Sequence, residues 1–161
     1  MSTLSVRTRS SEETVALGER LGELLAPPDV VALVGPLGAG KTYFAKGVAR
    51  GLGLADVREV TSPSFVLVRE HRGRYLLRHI DAYRLHTARE LLELGAEELF
   101  DEKAVALVEW ADRFPQGTVP ATLEVRFAHA GETEREIAFL PRSQRGEELV
   151  EAVKRLQAGS G

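Results

Sequence analysis

Apolar residues recur along this chain at two spacings, and each change between them marks an element. Leu4 and Val6 alternate with polar neighbours, as in a strand. Ser10 or Ser11, followed by Glu13 and Thr14, reads as a helix start, and Val15, Leu17, Leu21, Leu24 and Leu25 then recur at helical spacing until Pro27-Pro28 stops the run. Residues 30–34 are uniformly apolar, of strand length and bounded by Asp29 and Gly35, the mark of a strand covered on both faces in a parallel sheet. Glycine-rich sequence follows, with a predicted helix from Lys41 to Gly51.

The middle of the chain changes pattern. Val66, Val68 and Glu70 alternate, Arg72-Gly73 supplies a turn, and residues 75–81 form the return strand of a predicted antiparallel hairpin. Residues 89–94 read as helix with Gly95 as its cap, 97–100 as a short helix, and 105–108 as another buried strand. Residues 123–127 and 137–140, parted by a turn at Ala130-Gly131, predict a late hairpin, and an amphipathic helix over 146–156 closes the chain. Buried strands joined partly by helices and partly by hairpins predict an α/β fold with a mixed sheet.

Length and composition narrow the picture. A chain of 161 residues predicts one domain, placed at 1–157, with 158–161 as a flexible tail. No cysteine is present, which removes disulfides, thiolate metal sites and thiol nucleophiles together. A net charge of -3 gives no bulk basic field for coating DNA or an anionic membrane. No stretch approaches the ~20 apolar residues of a membrane span, and residues 1–5 lack the apolar core of a secretory signal, so a cytoplasmic protein is expected.

The candidate chemistry centres on Gly35-Pro36-Leu37-Gly38-Ala39-Gly40-Lys41-Thr42, which satisfies the phosphate-loop pattern of glycine, four residues, glycine, lysine and serine or threonine. Small residues let the backbone wrap a polyphosphate, and successive N–H groups then form an anion nest at a helix N-terminus. Lys41 would reach the β- and γ-phosphates, and Thr42 would offer its hydroxyl to Mg²⁺. A chance match is the alternative, but the required strand before the loop and helix after it are both predicted.

Three further segments are candidates. His79, Asp81 and Tyr83 share one face of a strand by alternation, suited to metal coordination or water positioning, although a solvated strand end with an Asp–Arg pair explains the spacing as well. Glu109 directly follows a buried strand, where a phosphate-loop protein places a metal contact or water-orienting acid; Trp110, the sole tryptophan, reads as a core or cover residue. Residues 61–65, Thr-Ser-Pro-Ser-Phe, could sense a γ-phosphate through Thr61 or be an ordinary turn. His71, His86 and His129 fall at no metal-ligand spacing, and Arg135 lies in a charged hairpin arm as a candidate nucleotide contact.

Taken in order, these segments resemble the TsaE (YjeE-like) ATPases of bacterial tRNA threonylcarbamoyladenosine biosynthesis. The resemblance rests on the Ser-Glu-Glu-Thr helix start with Gly18, GPLGAGKT, TSPSF at 61–65, HIDAYRL at 79–85, Glu93-Leu94-Gly95 and LVEWADRFP at 107–115. It implies a P-loop NTPase-like three-layer fold with a mixed, mainly parallel sheet and antiparallel hairpins. It also implies that ATP is bound by Gly35, Leu37, Gly38, Ala39, Gly40, Lys41, Thr42 and Tyr43, with Thr14, Thr61, Trp110 and Arg135 contributing. Thr42, Glu109 and Asp81 are implied as the Mg²⁺ set, and Asp81, Glu109 and Lys41 as the catalytic groups. Pro36 and Tyr43 depart from the family, which often has an acidic residue and a threonine there.

The implied partner is the TsaD–TsaB complex, which transfers a threonylcarbamoyl group to an adenosine of tRNAs decoding ANN codons. This chain would then be an ATPase that meets tRNA indirectly. A small-molecule kinase of shikimate-kinase-like size is the principal alternative, yet the predicted hairpin after the loop helix leaves little chain for an acceptor lid. A GTPase is disfavoured because a chain without asparagine cannot carry the Asn-Lys-x-Asp guanine motif. A degenerate, nucleotide-free module conflicts with Lys41 and Thr42 being intact.

Overall fold

The computed structural model describes residues 3–36, 38–54, 68–82, 89, 93, 95–115 and 117–159. Its elements are β1 (Leu4–Thr8), α1 (Ser11–Leu24), β2 (Val30–Val34), α2 (Lys41–Gly51), β3 (Val68–Arg72), β4 (Leu76–Asp81) and α3 (Ala96–Leu99). After these come β5 (Ala104–Glu109), a 3-10 turn (Ala111–Arg113), β6 (Leu123–His129), β7 (Arg135–Pro141) and α4 (Gln144–Gly159).

The strands form one seven-stranded sheet in the order β1-β7-β6-β2-β5-β4-β3. The central strands β6, β2, β5 and β4 run parallel, and antiparallel pairs complete both edges. This is the mixed α/β architecture that the patterning predicts. The apolar runs fall where they must: β5 is buried at every position, and β2 at all but its last.

Alternation along the strands divides the core in two. Val31, Leu33, Leu77, Val105, Leu107, Val125 and Phe139 face a layer built from α1, α2 and α4. On the opposite face Val30, Ile80, Ala106 and Val108 meet Leu99 of α3 and Phe114 after the 3-10 turn.

Helix α1 begins where its sequence says it should. The Ser10 hydroxyl accepts from the Glu13 N–H at 3.1 Å, satisfying one of the donors the first turn leaves open. Four glycines then bring α1 and α2 into backbone contact. A Cβ on Gly18 would stand 2.3 Å from the Phe44 carbonyl oxygen, and one on Gly47 only 2.0 Å from that of Val15. Gly22 and Gly51 meet the facing helix as closely.

The far ends of both helices are tied by Arg74, whose guanidinium donates to the carbonyls of Gly51 at 3.1 Å and Gly22 at 3.2 Å. A cation is favourable there because both carbonyls lie at helix C-termini. Arg145 of α4 likewise grips the buried Asp29 carboxylate and donates to the Leu24 carbonyl at 2.8 Å. Helix α4 extends a little beyond the span that the patterning predicts, from Gln144 to Gly159.

Since the facing atoms at Gly18 and Gly47 are backbone and cannot rotate away, Gly18→Ala or Gly47→Ala should each destabilise the fold by about 1–3 kcal/mol. Urea unfolding measures this. An unchanged midpoint would mean that the helices do not sit this closely.

Candidate functional site: a phosphate loop beside a buried acid pair

The loop between β2 and α2 is shaped by its glycines. Gly38 and Gly40 have φ of 76° and 98°, left-handed conformations that side chains rarely adopt. Ala39 between them is fully buried in the larger core, and its N–H donates to the Pro36 carbonyl at 3.2 Å. This methyl anchors a segment that otherwise presents backbone. Gly40 is the N-cap of α2 and supplies no side-chain cap, so the first-turn N–H groups face the loop's hollow.

Lys41 opens α2 and is 5% exposed. Its ammonium donates to the Gly35 carbonyl and lies 3.1 Å from the centroid of the Trp110 ring. Burial pushes this lysine below its ordinary value of 10.5, opposed by the negative charges of Glu109, Asp112 and Asp81. Trp110 holds a left-handed conformation at φ 62°, rare for a bulky residue and characteristic of functional sites. Its N–H donates to the Leu33 carbonyl at 3.1 Å, which fixes the ring's starting point against β2.

Two acids end neighbouring parallel strands beside this lysine. Asp81 of β4 pairs in register with Glu109 of β5, and the Ala82 N–H donates to the Glu109 carbonyl at 2.9 Å. The solvated-strand-end reading of this segment is wrong: His79 is 0% exposed and Asp81 3%. The alternation that groups them is correct, but their shared face continues that of Leu77 in the larger core and is buried. His79 Nε2 lies 2.5 Å from Glu109 Oε2, with both side chains enclosed.

The other candidates take distinct places. Thr14 is buried behind the loop, its hydroxyl 2.8 Å from that of Thr8 and its methyl carbon 3.6 Å from where a Gly40 Cβ would stand. Arg135 bridges the loop and the β6–β7 turn, donating to the carbonyls of Gly38 at 3.2 Å and Glu134 at 2.8 Å. Thr14, Arg135, Gly40 and the exposed Tyr43 border a cleft of about 300 Å³, completed by Arg9 and Thr133. Thr42 is half-buried in the first turn of α2. Leu37 and the segment carrying Thr61 lie outside the described residues, as does Tyr83.

The sequence overlooks two relationships. It does not pair His79 with Glu109, because a contact between strands thirty residues apart has no local signal. It also treats Arg135 as a nucleotide contact without its link to the Gly38 carbonyl.

The arrangement suits a magnesium polyphosphate. Left-handed glycines, a helix N-terminus without a side-chain cap and a buried ammonium are brought together in one short segment. Among the described residues no three His, Asp or Glu side chains cluster to hold a metal. A divalent cation here would therefore need phosphate oxygens as ligands beside Thr42 and Glu109, the habit of Mg²⁺.

A parallel sheet core, with the loop at the carboxyl end of β2 and acids at the ends of β4 and β5, defines an α/β protein of P-loop NTPase-like fold. A family described as "Threonylcarbamoyl adenosine biosynthesis protein TsaE" matches residues 8–137, and the chain belongs to that family, whose members serve tRNA threonylcarbamoyladenosine biosynthesis. The tRNA threonylcarbamoyladenosine biosynthesis protein TsaE of Bacillus subtilis is 40% identical over 156 residues, 96% of each chain. Its counterpart from Treponema pallidum is 40% identical over 122 residues, 73% of this chain and 89% of that one. The crystal structure of YdiB from Bacillus subtilis superposes with a TM-score of 0.76 at 36% identity, covering 97% of both chains.

The depressed Lys41 has a measurable consequence. Between its lowered folded-state value and 10.5 the unfolded chain holds a proton that the folded chain has lost, so stability contributed by this group rises with pH through that window. Wild type should therefore gain stability relative to Lys41→Met as pH climbs toward 10.5. A difference that stays flat in alkaline urea titrations would contradict the burial of the ammonium.

Proposed function

We propose that this protein binds and hydrolyses ATP with Mg²⁺ in the cytoplasm, and acts with the TsaD–TsaB transferase complex in threonylcarbamoylation of tRNA. The reading is carried by one observation, the buried Lys41 ammonium set between the phosphate loop and the acids Asp81 and Glu109. Family membership supports the biosynthetic role. In the described residues no helix is long and apolar enough to cross a membrane.

The chain's own groups divide the work by position. Backbone N–H groups of 38–42 receive the phosphates, and Lys41 leaves the Gly35 carbonyl and the Trp110 face to neutralise them. The cleft bordered by Thr14, Tyr43 and Arg135 accepts the nucleoside end. Thr42 and Glu109 would hold a magnesium ion, which when bound would supply charge neutralisation to the phosphates. Asp81, adjacent to Glu109 in register, orients the attacking water. Turnover by the isolated chain is slow, and the transferase pair raises it by completing the charge stabilisation around the transferred phosphoryl.

Lys41→Ala should weaken ATP binding about 100-fold, the loss expected of about 3 kcal/mol for a charge-assisted bond, while the domain stays folded. Glu109→Gln should spare folding and the magnesium-free affinity yet lower magnesium-dependent turnover by a factor on the order of 100. Calorimetric titration and phosphate release, each with and without TsaD–TsaB, read these outcomes. Turnover of tens per second by the chain alone, or stimulation by a small hydroxylated metabolite instead of the transferase pair, would replace this reading with a kinase.

A further inference from the structure

We infer that His79 is a positioning residue for Glu109, presenting that carboxylate to the divalent cation; this rests on the magnesium-nucleotide reading above. His79 has no exposed surface, and Glu109 is only 2% exposed. Nε2 of the imidazole is 2.5 Å from Oε2 of the carboxylate. The other ring nitrogen, Nδ1, is buried with no hydrogen-bond partner among the described residues.

That asymmetry assigns the proton. Were the hydrogen on Nδ1, it would be a buried donor without an acceptor, and the lone pair on Nε2 would face a carboxylate oxygen. With the hydrogen on Nε2 the imidazole donates to Oε2, and the cost of enclosing the ring is offset by a charge-assisted bond. The bond holds Oε2 of Glu109 and leaves Oε1 as the oxygen that His79 does not take.

Strand geometry makes His79 the residue suited to this. In the β4–β5 register His79 lies opposite Leu107 and Asp81 opposite Glu109, so the imidazole reaches diagonally along the covered face. Glu109 is followed by Trp110 in its left-handed turn, where the backbone leaves the strand. From the adjacent strand His79 fixes one oxygen of that enclosed carboxylate. Groups that hold a ligating side chain in this way commonly contribute 10–100-fold to metal affinity.

The test measures ADP affinity by calorimetry across a magnesium series, for wild type, His79→Leu and His79→Gln, with folding checked by circular dichroism. Affinity without magnesium should agree within about twofold across the three proteins. The magnesium concentration needed for half of the affinity gain should rise about 10–100-fold in His79→Leu. His79→Gln, whose amide nitrogen can stand where Nε2 stands, should restore it to within about threefold. Should His79→Leu fail to fold, His79→Asn, polar but one methylene too short, carries the same expectation as leucine.

A folded His79→Leu or His79→Asn with the wild-type magnesium midpoint would overturn the proposal and leave the pair a structural contact. Equal impairment in the glutamine variant would overturn it too, since the donor would not be what matters. A wild-type protein that binds ADP without any response to magnesium removes the Glu109 assignment and this inference with it. Failure to bind ADP at all would instead strike the functional reading itself.

Discussion

An ammonium enclosed by protein beside an uncapped helix N-terminus is electrostatically unfavourable unless negative charge is close. Lys41 is in that position, and the fold answers with Asp81, Glu109 and Asp112 on neighbouring segments. The acids moderate the cost without abolishing it, which is why burial still dominates the lysine's displacement from its ordinary value. A bound polyphosphate would supply the missing charge. On the function proposed above, this imbalance would favour a multiply charged anion, an affinity that no single contact accounts for.

The scaffold's role is to keep that imbalance from relaxing. Ala39 ties the loop to the core, Gly35 approaches the Phe127 backbone too closely for any side chain, and Arg135 links the Gly38 carbonyl to the β6–β7 turn. On the acidic side, the parallel β4–β5 pairing fixes where Asp81 and Glu109 end. Both the loop and the acids thus adjoin the central parallel strands, β2 on one side and β4 and β5 on the other.

Much of this was legible before any coordinates. The loop motif, the two-sided burial of β2 and β5 and both hairpins follow from periodicity, since each is a local pattern of side chains. Glu109 was legible for a related reason: an acid directly after an apolar run must fall at a strand's end. What stayed hidden depended on register and on which face was covered. His79 and Asp81 shared a face in either reading, but nothing in the local sequence says that this face is buried. The partnership of Arg135 with Gly38 needed the fold to bring residues ninety-seven apart together.

The glycine contact between α1 and α2 reaches further than packing. Helix α1 starts at the cleft, near Ser10 and Thr14, and α2 starts at the phosphate loop, so the two helices form the jaws of one aperture. At Gly18, Gly22, Gly47 and Gly51 their separation is set by close approach to the main chain of the facing helix. An α-helix of this length spans roughly 20 Å, so spreading the jaws at Gly22 and Gly51 would tilt them at the cleft proposed for the nucleoside. The bore of that cleft is therefore gauged partly from its distal end, by atoms remote from its lining.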